Sequence, residues 1–186
     1  MRASLRASIS AAVGYLLSVE SPDDGWEVEA LLDTAFAPGR TSLSSYRLRV
    51  GPPVARLCHV ARDDLGILAG AIRFWPVHVA GAPALLLGPV AVHPTRQGEG
   101  LGAFLIEETL DQARWDWDRV LLVGDASYYR RFQFARLPEV LMPPPTDPAR
   151  VLGRSLRAGA WDGIVGDVMP WNHPAPTCVP KQEDRT

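Results

Sequence analysis

Gln97-Gly98-Glu99-Gly100-Leu101-Gly102 gathers three glycines behind an apolar run, Leu85 to Val92, and directly ahead of an amphipathic segment. Glycine lets successive backbone N–H groups turn toward one ligand, and the first turn of a following helix adds unpaired donors and the positive end of its dipole. Such a turn is an anion cradle, and a diphosphate is its natural guest. The dipole contributes only about 0.3–1 kcal/mol per favourable charge, so affinity has to come from several N–H contacts acting together. Arg96 precedes the loop and can reach a phosphate, whereas Glu99 would repel one and is expected to point away.

The stretch Val90-Ala91-Val92-His93-Pro94-Thr95-Arg96-Gln97-Gly98-Glu99-Gly100-Leu101-Gly102-Ala103 resembles the acetyl-CoA-binding motif of the GNAT family of N-acetyltransferases. That motif reads Q/R-x-x-G-x-G/A at its core, and Gln97, Gly100 and Gly102 match it. Leu121 to Phe134 resembles the family's second signature, a strand followed by a short helix with a tyrosine and a closing Gly-Phe pair. Tyr129 falls on that tyrosine, while Gln133 stands where glycine is usual, at a turn whose backbone normally calls for it.

The resemblance extends from about Tyr15 to Phe134 and implies an α/β architecture, the GNAT-type acyl-CoA N-acyltransferase fold. In that fold a mixed, mostly antiparallel central sheet is split near strand four and flanked by helices. It further implies acetyl-CoA as the acyl-donor cosubstrate, held by Val90, Ala91, Val92, Arg96, Gln97, Gly98, Gly100, Leu101, Gly102, Ala103 and Tyr128. Tyr129 would stand beside the sulfur as the catalytic proton donor. The implied reaction is direct acetyl transfer, in a ternary complex, to a primary amine of a small molecule, peptide or protein. No metal is expected.

Amine acetylation poses a protonation problem. A lysine-like amine with a pKa near 10.4 is only about 1 part in 2500 neutral at pH 7, equivalent to roughly 4–5 kcal/mol. A base, a water chain or desolvation must offset this. His59 and His78 on expected strands, and Asp63 and Asp64 on an expected turn, are open candidates, each with an ordinary structural reading beside it. For the thiolate, Tyr129 is preferred over Tyr128 on the family alignment; Tyr128 and Phe132 are spaced i,i+4 and suit packing. Arg130 and Arg131 could reach the outer phosphate or solvate their helix, and His93 reads as a loop residue. Arg73, Phe74 and Trp75 could line an acceptor pocket, although alternation along a strand explains them equally well.

The elements that must carry these groups follow from pattern. Tyr15 to Glu20 reads as the first strand. Capping residues at Ser21 to Asp24, then Val28, Leu31, Leu32, Ala35 and Phe36 at helical spacing, predict a helix from Asp23 to Phe36, closed by Pro38-Gly39. A short helix over Ser42 to Leu48, a strand over Ala55 to Ala61, a hairpin turn at Arg62 to Gly66 and a strand over Ile67 to Val79, interrupted at Pro76, come next. Leu85 to Val92 has no polar face and belongs in the sheet interior, where Gly88-Pro89 demands a bulge or an unpaired side. Ala103, Ile106, Leu110, Ala113 and Trp117 predict one amphipathic helix. Strands at Arg119 to Val123 and Val151 to Arg157 flank a short helix over Ser127 to Phe132, and Leu137 to Pro148 reads as irregular.

At 186 residues, 47% apolar and 22% charged, the chain fits one compact domain over residues 15–170, with an extension at 1–14 and a fraying tail at 171–186. A net charge of −2 argues against broad capture of nucleic acid or an acidic membrane, and no apolar stretch reaches the roughly 18 residues of a membrane helix. A cytoplasmic location is expected, with Cys58 and Cys178 reduced. The first 19 residues, with Arg2, Arg6 and no acid before Val19, also admit a targeting peptide. Two other readings stand beside acetyl transfer. One is a non-catalytic acetyl-CoA sensor. The other is an NAD-type domain, because Gly98-x-Gly100-x-x-Ala103 also fits the dinucleotide pattern, although Asp125 lies 27 residues beyond Gly98 against about 20 expected.

Overall fold

A computed structural model describes residues 8–10 and 14–171; the rest of the N-terminal extension and the tail from residue 172, Cys178 included, lie outside the described residues. The elements run β1 (Ser8–Ser10), β2 (Tyr15–Val19), α1 (Gly25–Phe36), β3 (His59–Arg62), β4 (Leu68–Val79), β5 (Ala82–Val92), α2 (Leu101–Ala113), β6 (Arg119–Val123), α3 (Ala126–Tyr129), β7 (Ala135–Arg136), β8 (Val140–Leu141), β9 (Val151–Ser155) and β10 (Gly166–Pro170). The main sheet is ordered β1-β2-β3-β4-β5-β6-β9-β7, and every neighbouring pair along that path except β5–β6 is antiparallel. This is a mixed α/β, mostly antiparallel sheet, as the sequence leads one to expect. It excludes the doubly wound parallel sheet that the dinucleotide reading requires.

Helices cover both faces because the strands alternate. Ala71 and Ala91 turn to one side, where Val28, Leu31 and Leu32 of α1 pack on them. Ile72, Phe74, Leu85 and Val120 turn to the other, where Leu101, Leu105, Ile106 and Leu110 of α2 bury their apolar stripe. Leu105 is fully buried, so truncating it to alanine should cost about 2–5 kcal/mol.

The sheet divides at β5. Only Leu85 and Leu86 pair with β6, through Val120 and Leu121. The β4–β5 register jumps from Ile72↔Val90 to Phe74↔Leu87, so Gly88 and Pro89 together oppose Arg73. This is the irregularity that the prolyl nitrogen, lacking a donor, was expected to impose. Beyond it the outer edge of β5 has no strand partner among the described residues, and β6 diverges from it.

Several boundaries depart from pattern. Pro76 does not interrupt β4. The Phe74 carbonyl accepts from Val54 N–H at 2.8 Å on the side away from β5, and by alternation Pro76 turns its missing donor to that same side. There the β3 ladder has ended at Ile72 and the β10 ladder begins at Val77, so no bond is lost. Residues Ala55–Leu57 form a 3-10 turn before β3 rather than the start of a strand. The expected short helix over Ser42 to Leu48 is two tight 3-10 turns, Pro38–Ser42 and Ser44–Leu48. Helix α2 ends at Ala113, and Trp117 reaches the core from the turn beyond it. Strand β1 precedes the strand expected first, and β7, β8 and β10 carry too few residues or too mixed a polarity to announce themselves.

Candidate active site

Two spaces lie along the free edge of β5. The first is the glycine loop. Gly98 and Gly100 adopt φ of 87° and 84°, the left-handed region that favours glycine. A Cβ at either position would meet no protein atom within 4 Å. Backbone conformation, not packing, therefore requires these glycines, and the space above them is free for a ligand. The first helical bond of α2 is Phe104 N–H to Gly100 C=O at 3.0 Å, which leaves the N–H groups of Leu101, Gly102 and Ala103 without intrahelical partners.

This cradle is lined by Val92, Arg96, Gln97, Gly98, Gly100, Leu101, Gly102, Ala103 and Tyr128, together with Arg131. A diphosphate suits it, since the donors converge and Glu99 is held away by accepting a hydrogen bond from the Tyr15 hydroxyl. Arg96 lines the cradle while donating to the buried Asp63 at 2.8 Å, which orients its fork. Gln97 reaches back to the Val92 carbonyl at 3.4 Å. Arg130 does not line the cradle.

Val90 and Val92 connect the cradle to the second space. His93 N–H donates to Ala69 C=O at 2.8 Å, so by alternation Ala91 also bonds toward β4 while Val90 and Val92 present their N–H and C=O groups to the unpaired edge. Ala91 itself turns its side chain into the α1 face of the core. The free edge can accept an extended amide chain as one more strand would be accepted.

The second space, about 160 Å³ and open at its mouth, is floored by Leu86–Val90 and Leu122–Val123, walled by Tyr129, and roofed by Phe36, Arg40, Leu43, Ser45, Tyr46 and Arg49. Tyr129 reaches it because Asp125 caps α3, accepting from Ser127 N–H at 2.7 Å, and because Gly124 has no side chain. A Cβ on Gly124 would come within 2.7 Å of Tyr129 Cδ2. Burial pushes the Tyr129 phenol up to about 12, so it is neutral and carries its proton at physiological pH. Tyr128 faces the cradle instead, its ring edge-on to Tyr129 at 5.0 Å. The two adjacent tyrosines thus divide between the two spaces.

An ion-pair chain surrounds the roof. Arg73 grips Glu20 with two bonds of 2.8 and 2.6 Å and donates to Glu29 at 2.6 Å. Arg40, 7% exposed, donates to Glu29 at 2.5 Å, Asp33 at 2.8 Å and the Tyr46 hydroxyl at 2.6 Å. Arg49 lies 3.9 Å above the Tyr46 ring centroid and 5.3 Å from that of Trp75, and its Nε and Nη1 are buried without a hydrogen-bond partner among the described residues. Burial pulls its guanidinium below the ordinary range. Phe74 is core, Arg73 is neutralised and Trp75 is buried behind Arg49, so none of the three strand residues considered for an acceptor pocket lines this space.

The candidate bases are elsewhere. His59 is buried on β3, where burial holds its imidazole below the usual range. His78 packs edge-on with Trp171. Asp63 fixes its own hairpin by accepting from Leu65 and Ile67 N–H at 3.1 and 2.9 Å. Asp64 is exposed, and none of the four lines the second space. His93 caps the turn before the loop, with Nδ1 2.8 Å from the Thr95 hydroxyl. Sequence reasoning missed Arg40, Tyr46, Arg49 and Gly124. The first three sit on tight turns with no periodicity, and the need for Gly124 arises only from the ring above it.

A family model described as the acetyltransferase (GNAT) domain matches residues 55–136. A GNAT family acetyltransferase from Brucella melitensis, solved with acetyl-CoA, is 30% identical over 86% of this chain and 97% of its own, with a TM-score of 0.66. The GNAT family N-acetyltransferase YhbS from Escherichia coli, solved with CoA, is 28% identical over 88% of this chain and 93% of its own, with a TM-score of 0.75. Naa50 of Arabidopsis thaliana, solved with a bisubstrate analogue, shares the fold at 18% identity, covering 77% of this chain and 99% of its own, with a TM-score of 0.57. No curated protein matches the chain by sequence.

Proposed function

Because this chain belongs to the GNAT family of acetyltransferases, we propose that it is an N-acetyltransferase moving the acetyl group of acetyl-CoA to a primary amine by direct attack in a ternary complex. The observation that carries this reading is continuity: one free strand edge, Val90 to Val92, runs from a donor-rich cradle to a pocket walled by a neutral phenol. The cradle orients the diphosphate, the edge groups of Val90 and Val92 align the amide arm, and the thioester is thereby aimed at the pocket. Acetyl-CoA supplies the activated acyl group.

In the transfer a C–N bond forms as the C–S bond breaks, the amine loses a proton, and the sulfur gains one. Full donation from a phenol near 12 to a thiolate near 8.5 would be uphill by about 5 kcal/mol. Tyr129 therefore acts as a hydrogen-bond donor and relay, giving its proton to sulfur as the attacking nitrogen, acidic once it carries positive charge, releases its own. No Asp, Glu or His among the described residues lines the pocket, so the acceptor is deprotonated through water and by desolvation, which disfavours an ammonium. That same observation favours a second reading, an acetyl-CoA sensor without turnover.

Incubating the protein with acetyl-CoA and a metabolite extract, then searching by mass spectrometry for acetylated amines, separates the two. New products that vanish with Tyr129→Phe support transfer. Acetyl-CoA binding with no product and no thiol release across a broad amine panel supports the sensor.

A further inference from the structure

We propose that Arg49 receives a carboxylate, so that the acceptor is an amino carboxylate with an apolar body, bound between Arg49 and Tyr129. This rests on the acetyl-transfer reading and names its acceptor class. Arg40 and Arg73 have committed their donors to Glu29, Asp33 and Glu20, whereas Arg49 Nε and Nη1 are buried with no partner among the described residues. A guanidinium taken from water without an anion is unfavourable, and stacking on Tyr46 returns less than desolvation takes away. The stack does fix the plane of the fork, the geometry that a carboxylate engages with two parallel bonds.

Location decides what this fork serves. Arg49 Nη2 lies 3.7 Å from where a Cβ on Gly88 would sit, so it reaches from the roof to the floor at the point where β5 leaves β6, in the space that Tyr129 walls. An anion held there is a short reach from the transferred acyl group, so few bonds separate amine from carboxylate. A phosphate dianion would call for a second free cation, and Arg40 is already neutralised by two carboxylates. Phe36 and Leu43, 44% and 55% exposed at the mouth, offer an apolar surface to the remainder of the molecule.

The test is thiol release from acetyl-CoA with a panel of α-, β- and aromatic amino acids, each matched to its carboxamide and its decarboxylated amine. The acid of at least one set should exceed its amide by about 100-fold in kcat/KM, because a site built for a charged partner is left unpaired by the analogue. Arg49→Gln should collapse that ratio to near one through the KM of the acid, with calorimetric affinity for acetyl-CoA unchanged, and Arg49→Lys should restore part of it. Thermal shifts by N-acetyl acids against N-acetyl amides, in the presence of CoA, read the same pocket without chemistry; stabilisation by acids alone, lost in Arg49→Gln, supports the proposal even where no amine is turned over. Amides used as well as acids, a preference that survives Arg49→Gln, or neither turnover nor stabilisation specific to acids would overturn it. Failure of the wild type to bind acetyl-CoA would instead strike the acetyl-transfer reading.

Discussion

Tyr129 shows how one side chain's task is set by what surrounds it. Its ring lies where Gly124 leaves room, and burial keeps the phenol protonated up to about 12. Removing the hydroxyl while keeping the ring should lower kcat about 100-fold and change the KM for acetyl-CoA little, because the group is asked to act only as sulfur departs. The pH profile carries a sign. An acid works while protonated, so Tyr129 cannot produce a falling limb below about pH 11. The rate should rise with pH until the acceptor amine is neutral and then level; a descending limb near pH 8–9 would assign the proton to another group. Tyr129 was legible in sequence only through its place in a family signature, since adjacent tyrosines on a short helix carry no spacing signal. Arg49 was not legible at all, because an arginine on a tight turn declares nothing until its missing partner can be seen.

At the scale of elements, the glycine loop and the 3-10 turn Arg130–Phe132 that follows α3 make opposite use of left-handed backbone. Gly100 N-caps α2 at φ 84° with open space where a side chain would grow. Gly100→Glu should therefore fold but lose acetyl-CoA affinity by at least about 100-fold in calorimetry, through steric block, φ strain and charge. Gln133 occupies φ 63° where the family pattern has glycine. Its N–H bonds to Arg130 C=O at 3.0 Å and Phe134 N–H to Tyr129 C=O at 3.3 Å, the paired bonds of a Schellman close. The turn thus forms without its usual residue, and Gln133→Gly should stabilise the protein by about 0.5–1 kcal/mol, readable as a higher denaturant midpoint with unchanged slope. The loop, α2 and β6 were legible because their periodicity and glycines are local. The 3-10 turns over 38–48 and strands β7, β8 and β10 were not, being fixed by tertiary pairing rather than by their own residues.

For the whole molecule, the decisive feature is a sheet that parts at Gly88-Pro89, leaving one edge of β5 unpaired between two helix-covered faces. The split was foreseen from the proline and the resemblance; which side opened, and what roofed it, needed the register. A ligand that completes that edge binds only the folded chain, so acetyl-CoA at about 100 times its Kd should add about 2.7 kcal/mol, near 5–10 °C in Tm for a chain of this size. Reduced nicotinamide dinucleotide should give no such shift, since the antiparallel sheet lacks its crevice. The most direct measurement is a crystal structure of the complex with acetyl-CoA. The diphosphate oxygens should accept hydrogen bonds of about 2.7–3.2 Å from backbone N–H groups between Gly98 and Ala103, with the sulfur against the Tyr129 hydroxyl. Phosphates seated away from that loop, or a thioester on the far side of the sheet, would contradict the account.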